Sequence, residues 1–156
     1  MQINLIAVGK KMPTWVETAY QDYAKRLPTD FKLNLIEIAA IKRTKNINVE
    51  QLLIKEGEQL LANVAPGQCL IALDVKGQTW STEQLAEKMQ QWHDDARDIS
   101  LLIGGPEGLS KESLQKAELR WSLSPLTFPH PLVRVILAEQ LYRAWTILKN
   151  HPYHRI

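Results

Sequence analysis

The chain has 156 residues, 45% hydrophobic and 23% charged, with a net charge of +2 at neutral pH. That length suits one domain with a full core, and the composition excludes a disordered or fibrous chain. No apolar stretch approaches the roughly 20 residues needed to cross a bilayer, and MQINLIAVGKK carries its charges after a short apolar run, the reverse of a secretory signal.

INLIAV, residues 3–8, reads as a buried strand. After Pro13, Trp15, Ala19 and Tyr23, with Val16, Tyr20 and Leu27, recur at helical spacing. FKLNLIEI (31–38) is a second strand, followed by the basic loop AAIKRTKN. Asn48 is placed to cap a helix whose apolar face is Leu52, Leu53, Leu60, Leu61 and Val64, and Pro66-Gly67 stops it.

QCLIALD (68–74) is the third strand and holds the only cysteine, Cys69. No intrachain disulfide can form, so a small buried side chain and a reducing cytoplasm are expected. Ser81 and Gln84 have capping-box spacing ahead of a helix through Leu85, Met89 and Trp92. DISLLI (98–103) is the fourth strand, GGPEG follows it, and Ser110 caps a short helix. LRWSLS is the fifth strand, and a long helix begins near Pro131. Strands alternating with helices imply one α/β domain over 1–156 with a largely parallel sheet.

The last helix, residues 132–148, is apolar on more than one face, which fits either deep insertion in the monomer or burial against a second subunit. Charge is also uneven. Lys25, Arg26, Lys32, Lys42, Arg43 and Lys45 face only Asp30 and Glu37 in their segment, and Arg134, Arg143, Lys149 and Arg155 face only Glu139 near the end. Contact with phosphates and a solvated face both fit such clusters.

Ligands of open α/β sheets bind beyond the carboxyl ends of strands, where Gly104 and Gly105 leave room for a close approach to the backbone. Neither a Walker loop nor a dinucleotide fingerprint is present. A simple tight turn is the competing reading. In LSPLTFPHPLVR, residues 123–134, Pro125, Pro129 and Pro131 stiffen a loop able to present fixed amides and carbonyls. His130 is a site group or a cap of the following helix, and Glu139 with Arg143 has the spacing of an ion pair. In the tail NHPYHRI, His151 and His154 lack the companions of a metal site, so no metal is expected. Stacking on a base and contact with a phosphate suit Tyr153, the histidines and Arg155 better.

Taken in order, LLIGGPEGLS, WSLSPLTFPHPLVRVILAEQLYRA and NHPYHR closely resemble the bacterial large-subunit ribosomal RNA methyltransferase H family, a minimal member of the SPOUT class. The resemblance implies an α/β fold with a C-terminal trefoil knot, a homodimer, and S-adenosylmethionine as methyl donor. It further implies methylation at N3 of a pseudouridine in 23S rRNA within the assembled 70S ribosome. Carried over by position, the donor pocket consists of Leu73, Gly104, Gly105 and the loop Leu123, Ser124, Pro125, Leu126, Thr127 and Phe128. Leu73 and Leu126 would sandwich the adenine, with backbone groups near Gly104 and Ser124 on its polar edge. The candidate catalytic groups are His130, Arg134, Arg143, Tyr153, His154 and Arg155. The reading from a different class is a non-enzymatic ribosome- or RNA-binding module that uses the basic loop and tail without a cofactor.

Overall fold

The computed structural model describes residues 1–155. Strands and helices alternate along it: β1 (Gln2–Val8), α1 (Thr14–Ala24), β2 (Lys32–Ile38), α2 (Val49–Ala62), β3 (Cys69–Thr79), α3 (Thr82–Asp94), β4 (Ile99–Ile103), α4 (Lys111–Lys116), β5 (Leu119–Ser122) and α5 (His130–Leu148). All five strands join one sheet in the order β2-β1-β4-β3-β5, and every pairing is parallel. Parallel neighbours need a crossover, and a helix lies in each connection between successive strands.

Alternate strand residues face opposite sides of the sheet. Ile3, Leu5 and Ala7 of β1, with Cys69 and Ile71 of β3 and Ile99, Leu101 and Ile103 of β4, join one core containing residues of α1, α3 and α5. Ile6, Val8, Leu70 and Leu102 turn the other way, against Leu60 of α2 and the segments flanking α4. Cys69 is buried, and burial pushes its thiol up to about 11, in keeping with a packing role.

The predicted helix starts form through local hydrogen bonds. The Asn48 side chain accepts from Glu50 N at 2.8 Å. Ser81 and Gln84 satisfy each other's backbone amides at 3.1 and 2.8 Å, and Ser110 accepts from Ser113 N at 3.1 Å. These bonds occupy amides that have no partner within the helix.

Several boundaries differ from the sequence reading. Phe31 belongs to a 3-10 turn, Thr29–Phe31, rather than to β2, Val64 falls beyond the end of α2, and β5 stops at Ser122. β3 runs past Asp74 to Thr79, and its pairing with β5 slips from Leu73↔Trp121 to Gln78↔Trp121. Gly77 permits the return, because a Cβ there would lie 2.6 Å from the Arg120 carbonyl carbon. Residues in the slipped segment are released from pairing with β5.

α5 packs against α1 and α3. Its Leu137, Ala138, Leu141 and Ala144 are buried and Trp145 packs against the same core, whereas Leu132, Val135 and Ile136 stay only partly covered. The two apolar faces of this helix therefore have different fates: one completes the core and the other remains available. Trp15 on α1 is 58% exposed. Among the described residues no helix is long and apolar enough to cross a membrane.

Candidate functional site

The slipped part of β3, the turn after β4 and the loop after β5 enclose a cavity of about 690 Å³. Leu73, Gly104, Gly105, Leu123, Ser124, Leu126, Thr127 and Phe128 all line it; Pro125 does not. The sequence reading missed Asp74, Val75 and Glu107, which join the lining. Asp74 and Val75 lie within the strand slip, which depends on long-range pairing and leaves no local signal.

Internal hydrogen bonds fix both loops. Gly108 N donates to Gly105 O at 2.9 Å and closes the glycine turn. A Cβ on Gly104 would lie 2.5 Å from the Gly108 carbonyl carbon. Gly104 therefore lets the turn fold on itself, a steric need that holds with or without a ligand. In the next loop Ser122 Oγ donates to Ser124 O at 3.0 Å, and Leu126 N donates to Ser124 Oγ at 3.0 Å. Leu126 is held at the rim, 69% exposed.

His130 lines the cavity and is the first residue of α5, so the cap position falls to Pro129, which makes no side-chain cap bond. Its Nδ1 is buried without a partner among the described residues. Burial, reinforced by Arg134 and Arg43, holds its pKa below the usual imidazole value, favouring the neutral ring.

Arg134 is buried away from the cavity lining, with its side chain 1% exposed. Its Nη1 pairs with Glu37 at 2.5 Å, and its Nη2 donates to Gly9 O at 2.8 Å and Val8 O at 3.2 Å. These contacts tie α5 to the carboxyl ends of β1 and β2. The structure gives Arg134 an architectural position where the sequence suggested direct chemistry.

Arg143, Tyr153 and His154 gather at the other end of α5. Arg143 Nη2 pairs with Glu139 at 2.6 Å, and its guanidinium lies 4.8 Å from the centre of the Tyr153 ring. His154 Nε2 lies 3.0 Å from Glu83, and its Nδ1 lies 3.3 Å from Arg143. Tyr153 also packs on Tyr142, ring centres 4.7 Å apart. The tail is thus docked on its own chain, and His151 Nδ1 accepts from Tyr153 N at 3.2 Å. Arg155 is exposed. Among the described residues no group of three or more His, Cys, Asp or Glu is arranged to hold a metal.

Cavity and tail are well separated within one chain. Thirteen residue-to-residue steps of helix, about 20 Å at 1.5 Å per residue, separate His130 from Arg143.

A family model described as predicted SPOUT methyltransferase matches residues 1–154. Proteins from Ectopseudomonas mendocina (strain ymp) and Pseudomonas putida (strain GB-1), each named ribosomal RNA large subunit methyltransferase H, are 54% identical over 155 residues, covering 99% of this chain and 100% of theirs. A solved probable methylase family protein from Haemophilus influenzae Rd KW20 matches with a TM-score of 0.55 at 14% identity, over 99% of this chain and 70% of that one. A methylase family protein from Neisseria gonorrhoeae matches at 0.52 and 13%, over 99% and 85%. At those identities the two structures speak to the fold alone, and they agree with the α/β sheet found.

Proposed function

The chain belongs to the SPOUT methyltransferase family, and we propose that it uses S-adenosylmethionine to methylate N3 of a pseudouridine in 23S rRNA on the assembled 70S ribosome, as a cytoplasmic homodimer. The observation that carries this reading is the convergence of β3, the glycine turn and the loop after β5 on one cavity. Its size suits a cofactor, and its lining is mostly apolar.

The residues present fit the donor. Leu73 and Leu126 offer apolar surfaces for a purine, while the glycine turn and the Ser124 loop bring backbone groups to its edge. Asp74 supplies negative charge for a cationic ligand, whereas the Glu107 carboxylate is already paired with Arg43. When bound, S-adenosylmethionine supplies an electrophilic methyl group on a sulfonium centre. The chain must hold the target base in line with that methyl and accommodate loss of the N3 proton. In this reading His130, a lining residue whose pKa is held below the usual imidazole value, would accept the proton, and Arg143, Tyr153, His154 and Arg155 would orient the base and stabilise its imide anion.

Those tail groups lie too far along α5 to serve their own cavity, and α5 keeps a partly uncovered apolar face. A homodimer packed on that face would bring one chain's tail to the other's cavity and form a composite site. Trefoil threading of the C-terminal segment belongs to the same reading.

The decisive test maps methyl groups on 23S rRNA from cells with and without this protein by mass spectrometry. One methylated pseudouridine should lose its methyl group when the protein is absent and regain it when purified protein, S-adenosylmethionine and 70S particles are combined. An unchanged methylation map would overturn the assignment. Calorimetry with S-adenosylmethionine should show saturable binding, which a cofactor-free RNA-binding module would not give.

A further inference from the structure

The loop at 39–48, between β2 and α2, holds Lys42, Arg43 and Lys45 and no carboxylate. Its conformation is fixed at two points. Ile41 N donates to Glu56 Oε2 at 3.2 Å, where Glu56 is 3% exposed on α2. Arg43 Nη1 meets Glu107 Oε1 at 2.7 Å, across 64 positions of sequence. Glu107 lines the cavity, so this pair brings one guanidinium of the basic loop to the cavity rim.

An exposed ion pair contributes little to stability, about 0–1 kcal/mol, and both side chains here are well exposed, at 42% and 39%. Stability is a weak reason for the arrangement. A guanidinium held by one nitrogen retains further donors in a fixed plane. Among the described residues Arg43 Nη2 and Nε make no hydrogen bond, and Lys42 and Lys45 make no ion pair. The hydrogen bond to Glu107, a residue of the cavity lining, is what sets the guanidinium beside the proposed reaction space.

We propose that Arg43 binds a phosphate of the substrate RNA at the mouth of the donor cavity, and that Glu107 holds the guanidinium ready for it. The proposal rests on the rRNA methyltransferase reading and adds a positioning residue to it. A base delivered to the cavity brings its own backbone to the rim, and an enzyme acting on a base must hold that nucleotide out of its stack. Arg43 can retain Glu107 through Nη1 while Nη2 and Nε meet phosphate oxygens. Arg43 offsets the Glu107 charge, and Lys42 and Lys45 leave the loop itself net positive, which suits an anionic backbone.

The test compares the parent with Arg43→Ala, Arg43→Lys and Glu107→Gln on 70S particles, recording KM and kcat for methylation, the salt dependence of particle binding, and S-adenosylmethionine affinity by calorimetry. Arg43→Ala should raise KM for the particle about tenfold and lower the slope of log affinity against log salt by about one. Donor affinity should stay within twofold of the parent. Arg43→Lys should recover the salt slope but only part of the affinity, because a single ammonium replaces a planar fork. Glu107→Gln should raise KM by a smaller factor with the salt slope kept. Parent-like KM and salt slope in Arg43→Ala would overturn the proposal, as would equal losses of donor affinity in Arg43→Ala and Glu107→Gln, which would make the pair a latch on the cofactor. Parent methylation of the particle is measured in the same series; its absence would overturn the enzyme reading itself.

Discussion

Tyr153 donates its phenolic hydrogen to Glu139 Oε1 at 3.1 Å, from the tail back to the long helix that precedes it. The same carboxylate oxygen receives Arg143 Nε at 2.8 Å. A single glutamate therefore gathers two of the candidate catalytic groups, and the tail has a defined resting place before any partner or RNA arrives.

The pH dependence of that contact follows from Tyr153, whose pKa burial, followed by the nearby Glu139 charge, pushes up to about 12. An unfolded tyrosine ionises near 10. The folded chain thus holds the proton more tightly, and the contribution to stability is complete below about pH 10 and lost as pH rises through about 12. Burial pushes Tyr20 up as well, so it adds to the same alkaline loss. Tyr153→Phe should reduce, without abolishing, the fall in melting temperature across that window. An unchanged fall would show that Tyr153 ionises no differently in the folded and the unfolded chain.

Arg134 gives a prediction about architecture. Arg134→Met leaves Glu37 and two strand-end carbonyls without their donor. Loss of one member of a buried pair costs about 3–5 kcal/mol, and urea unfolding should show a shift of that order, tempered by the part-exposure of Glu37. Arg134→Lys should also destabilise, since one ammonium cannot reproduce the planar set of contacts. Normal unfolding midpoints with abolished methylation would return Arg134 to the catalytic set.

Gly104→Ala probes the turn. Even a methyl group meets the Gly108 backbone, so the glycine turn must open or shift. Donor affinity should fall at least about tenfold, or about 1.4 kcal/mol. Gly105→Ala meets the Val8 side chain at 3.3 Å, which needs only a small adjustment, so it should bind the donor more like the parent. Parent-like donor affinity in Gly104→Ala would remove the turn from the site.

Much of this was legible because it is local. Asn48, Ser81 with Gln84, and Ser110 announce their helices within a few residues, and the alternation of strands and helices gives the parallel sheet. The position of Leu73 beside the glycine turn and the Ser124 loop came through resemblance, and the strand order explains why those segments meet. What sequence could not show depends on distant partners. The slip of β3 against β5, the burial of Arg134 beside Glu37, and the reach of Arg43 to Glu107 each join residues far apart in the chain. A charge count groups Arg43 with Lys42 and Lys45, and only the fold singles it out.

The separation of cavity and tail along α5 makes a prediction about connectivity. Take one variant truncated after Asn150, which keeps its cavity, and a second carrying Leu126→Glu, which keeps its tail and alters an exposed rim position outside the core. Calorimetry must first show that the second no longer binds S-adenosylmethionine and the first still does. Each alone should fail to methylate 23S rRNA. When subunits exchange, a heterodimer can set the intact cavity of the truncated chain beside the intact tail of the other, although neither chain carries both. Activity should return to at most about half of the parent level per heterodimer, because only one of two composite sites is complete. If each tail served its own cavity, no chain in the mixture would hold a working pair, and the mixture would stay inactive. Verified exchange without recovery would therefore overturn the composite site while leaving the donor cavity in place.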